Sequence, residues 1–177
     1  MQVPKVSVID YGMGNIWSVI SALKYLGVET EFVSSPKKIE ESKFLILPGV
    51  GSFSKGMREL KSRGIDQAIM SALQNNNAKI LGICLGMQIF ASQSEEFGSH
   101  YGLDIIPGVI SKIPSKSLDE KPLKIPYIGW AKQQISLANK NDSYLTDLSE
   151  KSLYTIHSFE FKVKESDHMI GHYDYGG

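Results

Sequence analysis

The chain has a single cysteine, Cys84, which excludes an internal disulfide. It has no surplus of charge either. Nineteen basic side chains are matched by nineteen acidic ones, so nothing electrostatic recommends nucleic acid or an anionic membrane as the main partner. Long apolar runs are missing too: "MQVPKVSVID" has no extended apolar core behind a basic stretch. Neither a secretory signal nor a membrane span is therefore expected, and the expected location is cytoplasmic. Internal repeats and low-complexity tracts are absent, although "PSKSLDEKP" and "LANKNDS" are polar, turn-rich loops. What is present is enough apolar material, 42% of 177 residues, for one well-cored domain over 1–177.

The first ninety residues alternate two patterns. "KVSVID", "ETEFVS", "KFLILPG" and "AKILGI" are short β-rich runs. Between them, "NIWSVISALKYLG" places Ile16, Val19, Ile20, Leu23 and Leu26 at helical spacing before Gly27, and "SKGMRELKSRGIDQAIMSALQNNN" reads as one or two helices broken near Gly64. Strand and helix in alternation predict an α/β fold, a mostly parallel central sheet flanked by helices. From about Tyr101 the pattern changes. "VISKIP", "IGWAKQQIS", "LYTIHSFEFKV" and "HMIGHYDY" are strand-like with few helical stretches between them, which predicts added mixed or antiparallel strands.

Gly82-Ile83-Cys84-Leu85-Gly86 has the G-x-nucleophile-x-G form of a nucleophile elbow, with cysteine where hydrolases carry serine. The glycines suit a tight strand-to-helix turn, and a thiol at a helix N-terminus meets N–H groups that favour its thiolate. A buried structural cysteine fits the same spacing, since free cysteine is among the most buried residue types. "LPGVGSF" places Gly49 and Gly51 around Val50 at the end of a strand. Such a loop can turn backbone N–H groups toward a developing oxyanion, or serve only as an ordinary βα connection. "DYGMGN" resembles the start of a dinucleotide fingerprint, but Trp17 stands where the third glycine belongs, which favours a tight turn at the functional edge of the sheet over nucleotide binding. His100, His157, His168 and His172 are the candidate bases, and none carries a local pattern that marks it as the partner of Cys84. No metal or cofactor is expected.

Taken together, "PGVGSF", "GICLGMQ", "IGW" and "IHSF", with "IDYGMGN" at the front and "YDYGG" near the end, resemble the class I glutamine amidotransferases. Within that family they are most similar to the glutaminase subunits that serve imidazole glycerol phosphate formation in histidine biosynthesis. The resemblance implies that Cys84 attacks the side-chain amide of L-glutamine, forms a thioester with release of ammonia, and yields glutamate on hydrolysis. It implies an oxyanion hole from the backbone of Gly49, Val50, Gly51 and Leu85. Gly51, Gln88 and Glu96 would hold the glutamine, with His157, Ser158 and Phe159 lining the same pocket. A separate (β/α)8-barrel synthase would complete a heterodimer and receive the ammonia, with Gly12, Gly14, Asn15 and Trp130 toward it.

The sequence departs from the family at its end. The family's histidine and glutamate lie in an H-P-E motif shortly after Y-G-G, whereas this sequence stops at Gly176-Gly177. The domain is thus expected to lack that segment and, as given, to be inactive without it. Either the gene product is longer or this is a natural variant; the strand ending at Tyr175 runs into a glycine turn that anticipates another strand and favours the first. "PYIGWA" stands where the family commonly has P-H-M-G-W-N, and "HSF" where it has H-S-Y. Those changes leave open a glutaminase serving a sugar amidotransferase of surface-polysaccharide synthesis. A partner-independent cysteine hydrolase and a non-catalytic binding subunit are the remaining alternatives.

Overall fold

The computed structural model describes residues 5–135 and 151–176, so the polar loop "LANKNDS" lies outside the described residues. The chain divides into two units, Met1–Ile105 and Ile106–Gly177. The first opens with strand β1 (Val6–Ile9), helix α1 (Ile16–Tyr25), strand β2 (Thr30–Val33), helix α2 (Pro36–Glu41) and strand β3 (Phe44–Gly49). Helices α3 (Phe53–Ser62) and α4 (Ile65–Asn75), strand β4 (Lys79–Cys84) and the short helix α5 (Leu85–Gln88) follow. Strands β1 to β4 form a parallel sheet in the order β2-β1-β3-β4. Its central strands are nearly continuous apolar runs, as strands covered on both faces must be: Val8, Ile9, Leu45, Ile46 and Leu47 are all buried.

Local chemistry sets the helix ends. Asn15 caps α1, its side-chain oxygen accepting from the backbone N–H of Ser18 at 3.4 Å. Ile16 and Ile20 then pack on Val8 and Ile46, with Val19 and Leu23 at the margin of that cluster. Leu26 continues the apolar spacing but lies past the helix end and is exposed. Gly64 separates α3 from α4 by adopting φ +66°, a left-handed conformation that glycine takes without penalty. Helix α2 is an addition to the expected pattern. Pro36 starts it and Ile39 is its one buried side chain, too little periodicity to announce a helix. Strands β5 (Ala91–Ser94) and β6 (His100–Tyr101), an antiparallel pair, close the unit.

The second unit is built from antiparallel pairs, as its strand-like segments predict. β7 (Ile106–Lys112) pairs with β11 (Phe159–Val163), and β8 (Tyr127–Lys132) pairs with β10 (Ser152–His157). The two-residue strands β9 (Gln134–Ile135) and β12 (Gly171–His172) form a third pair. "LYTIHSFEFKV" is therefore two strands rather than one, divided at Ser158, whose carbonyl accepts from Ile113 N–H at 3.0 Å.

Candidate active site

Strands β3 and β4 run parallel in a register that sets Gly49 opposite Cys84 at their carboxyl ends. Cys84 is the hinge between β4 and α5, with φ +55° and ψ −115°, a conformation that non-glycine residues adopt only where the surroundings enforce it. The enforcement is steric. A Cβ on Gly86 would stand 1.8 Å from the carbonyl oxygen of Leu47, and one on Gly82 would stand 2.5 Å from the backbone nitrogen of Met87. Backbone therefore passes where side chains would be, and the strand must turn sharply at Cys84. The thiol is exposed, which removes the buried structural cysteine from the readings left open by the spacing. Helix α5 is only four residues long, so its dipole offers the thiol little.

The glycine-rich loop lies on the same sheet edge. Gly51 has φ +109°, and a Cβ there would come 2.9 Å from Cε of Met13. The Val50 side chain is exposed, but its backbone N–H donates to the carbonyl of Met13 at 3.1 Å. That amide is therefore committed to the "DYGMGN" turn in this conformation. Within the turn, Gly12 takes φ +85° and its N–H donates to Asp10 Oδ1 at 3.0 Å. Gly14 is close-packed, since a Cβ would lie 3.1 Å from the ring of Pro48.

Glu96 is half-buried, and its carboxylate accepts from the backbone N–H of Phe53, the first residue of α3, at 2.5 Å. Ser52, at the cap position, makes no capping bond of its own, so Glu96 satisfies that helix start from 43 residues away. A buried hydroxyl, Ser94 Oγ, accepts from the N–H of Glu96 at 3.1 Å. Gln88 is the last residue of α5 and is half-buried.

Tyr11 adds a group that residue spacing did not single out. It is fully buried, and its hydroxyl has no hydrogen-bond partner. The point at which Gly49 would carry a Cβ lies 2.7 Å from that hydroxyl, 2.6 Å from Gly86 N and 2.8 Å from Leu85 Cβ. Burial first, and the nearby Cys84 second, push the phenol's pKa well above its ordinary value, so it stays a neutral donor. Both Met13 and Tyr11 sit in the stretch that the sequence had marked as a turn; only the three-dimensional approach of that turn to β3 gives them a part.

In the second unit, both ring nitrogens of His157 are engaged. Nδ1 is 2.9 Å from the Phe159 carbonyl, and Nε2 is in contact with the Tyr173 hydroxyl. Tyr127 and Tyr175 pack edge-on in the same cluster, ring centroids 4.5 Å apart. Ser158 and Phe159 are half-buried. Trp130 is exposed and packs edge-on against Tyr154 at 5.5 Å. The first unit's only histidine, His100, lines an open cleft of about 610 Å³ with Ser54, Arg58 and Lys61, not the elbow. Among the described residues, no group of three or more His, Cys, Asp or Glu could hold a metal ion, and no helix is long and apolar enough to cross a membrane.

Comparison with known proteins meets this geometry. The family model for "Glutamine amidotransferase class-I" matches residues 7–173, across both units. The imidazole glycerol phosphate synthase subunit HisH 1 of Legionella pneumophila (strain Paris) is 40% identical over 158 residues, 87% of this chain and 73% of the relative. The HisH subunit of Sulfurimonas denitrificans is 37% identical over 172 residues, 97% of this chain and 80% of the relative. A solved glutamine amidotransferase has the same fold, with a TM-score of 0.63 at 16% identity over 89% of this chain and 73% of that one. The PurLQS structure from Thermotoga maritima gives 0.65 at 20% identity, covering 97% and 75%. With an elbow cysteine forced into a strained turn beside a glycine loop, and a family match over nearly its whole length, the chain belongs to the class I glutamine amidotransferases.

Proposed function

We propose that this chain is the glutaminase subunit of an imidazole glycerol phosphate synthase, hydrolysing L-glutamine through Cys84 and passing ammonia to a partner barrel. The observation that carries the chemistry is the exposed Cys84 at φ +55°, held opposite Gly49. The acceptor side rests on the HisH relatives, whose names make them subunits of that synthase.

The thiolate of Cys84 adds to the glutamine amide carbon, and the carbonyl oxygen becomes an oxyanion. Leu85 N–H and the Gly49-Val50-Gly51 loop stabilise it, collapse expels ammonia, and water cleaves the thioester. Gln88 and Gly51 hold the substrate. Glu96 both contacts it and ties the start of α3 to the loop, which supports a positioning part for its carboxylate. Both ring nitrogens of His157 are engaged within its own unit, by the Phe159 carbonyl and the Tyr173 hydroxyl.

The resting conformation is silent by design of one bond. The Val50 N–H cannot serve an oxyanion while it donates to Met13. Docking of the partner against the Gly12-to-Asn15 turn would draw the Met13 carbonyl away and free the amide. The exposed pairs Trp130–Tyr154 and Ile128–Ile156 on β8 and β10 offer an apolar face for the same partner.

The test is a glutaminase assay of the full gene product with and without a copurified (β/α)8 synthase, scored for imidazole glycerol phosphate. Strong stimulation by the partner, lost in Cys84→Ser, is expected. Turnover that survives Cys84→Ser would refute the mechanism, and a sugar-modifying partner in the copurified complex would refute the acceptor.

A further inference from the structure

We propose that the open cleft between α3 and β6 is a binding site for the phosphate group of a small phosphate monoester. The cleft lies wholly within the first unit and has about 610 Å³ of space. That volume falls in the range of small-molecule sites, roughly 300–1,000 Å³, and is more than a bare phosphate fills.

Its chemistry is one-sided. No residue lining the cleft is acidic, whereas Arg58 and Lys61 bring two fixed positive charges. In a chain whose basic and acidic side chains balance, that is a local exception. Helix α3 sets Ser54, Arg58, Lys61 and Ser62 along one face, at i, i+4, i+7 and i+8. Arg58 and Lys61 are neighbours there, where like charges repel. None of the ion pairs among the described residues neutralises either of them, and Glu59, the one acid of α3, is paired with Arg63. A charged ligand supplies the compensation that the chain does not.

The facing wall adds neutral groups. Ser99 Oγ accepts from Gln93 Nε2 at 2.9 Å, which leaves its own hydroxyl proton to donate. His100 Nε2 has no hydrogen-bond partner. Tyr101 stands at the cleft 76% exposed, an aromatic face for the organic part of a ligand. Both walls are fixed before anything binds. His100 pairs with Ser94 across β5 and β6, Ser94 Oγ accepts from Glu96 N–H, and the Glu96 carboxylate holds the first residue of α3. A phosphate monoester suits this set better than a carboxylate does, because it carries nearly two charges and three acceptor oxygens. A guanidinium grips such a group through paired hydrogen bonds, and an ammonium meets it as a point charge.

Calorimetric titration of the full chain at 0.15 M NaCl, where diffuse surface attraction is screened, tests the site. The probes are AMP, adenosine and inorganic phosphate. AMP should bind saturably at one site, inorganic phosphate more weakly, and adenosine not at all. Inorganic phosphate binding as tightly as AMP would uphold the site and assign it to the free anion. Arg58→Gln and Lys61→Gln should each weaken binding about tenfold, the loss expected for one charge-assisted contact. Both positions are exposed on a helix, so these variants should melt as the unaltered chain does. Lys55→Gln, on α3 but outside the cleft, should leave the affinity unchanged. The proposal is overturned if neither AMP nor inorganic phosphate binds, or if adenosine binds as well as AMP. An affinity indifferent to Arg58→Gln and Lys61→Gln, or lowered equally by Lys55→Gln, overturns it too. Cys84 does not line the cleft, so the titrations are readable whether or not the chain turns over glutamine.

Discussion

The two units spend their apolar residues differently. In Met1–Ile105 the parallel sheet and its helices bury Tyr11, Phe53, Leu47, Leu60, Ile69, Leu85 and Ile89 almost completely. Among the described residues of Ile106–Gly177 only Ile110 is buried to that degree, while Trp130 is 70% exposed and Ile128, Tyr154 and Ile156 are each more than half exposed. The first unit is therefore stiff where the elbow needs stiffness, because close-packed backbone cannot relax around Cys84. The second offers apolar surface, which is what an association consumes. On the proposed reading, the elbow belongs to the closely packed unit, and the partner meets that unit's Gly12-to-Asn15 turn together with the exposed apolar strands of the other.

That contrast can be broken most severely at Gly86. Gly86→Ala drives a Cβ into the carbonyl of Leu47, backbone that cannot yield, and should cost more than about 4 kcal/mol in urea unfolding. A core truncation sharpens the same comparison. Leu60→Ala, at a fully buried position, should cost about 3 kcal/mol. Leu153→Ala on the second unit's exposed strand should stay within about 0.5 kcal/mol. If the two costs were equal, the division of labour would be wrong.

Trp130→Ser is the inverse case. It should leave the chain's own melting unchanged while, on the proposed reading, weakening the affinity for the partner synthase by about 2 kcal/mol, roughly thirtyfold by calorimetry. Glu96→Gln keeps the shape but removes the charge at the start of α3, and should lower stability by about 1 kcal/mol.

The smallest effect concerns pH. The hydrogen bond from Lys5, together with Ser7 and charge attraction, holds Glu31 below the ordinary carboxylate value of 4.5. A depressed carboxylate contributes stability that is present above that value and lost as pH falls through the lower folded one. The pair is solvent-facing, so the contribution is about 0.5 kcal/mol or less. The unaltered chain should therefore exceed Glu31→Gln in stability by that amount at neutral pH, and the two should converge in acid titration as pH falls below 4.5; a difference that stays the same from neutral pH into acid would contradict the assignment.

Local chemistry made much of this legible. Gly64 marked the helix break, the apolar runs of β1, β3 and β4 marked a parallel sheet, and G-I-C-L-G marked the elbow, because each is decided by neighbours in sequence. What escaped was decided by neighbours in space. Glu96 closing a helix start 43 residues away has no local signature. Nor does the engagement of Val50 N–H by Met13, or the placing of the Tyr11 hydroxyl beside Gly49. The short α5 also gives way to β5 within a few residues, since backbone crowding at Gly82 and Gly86, not helix propensity, governs that turn.

The bond from Val50 N–H to the Met13 carbonyl has an economic side. One amide cannot be in two places, so idling and turnover exclude each other within a single molecule. On the proposed reading, a cell that makes more of this chain than of its partner wastes no nitrogen on the surplus. Matching the two subunits need not be left to gene expression, because unaccompanied copies are self-silenced.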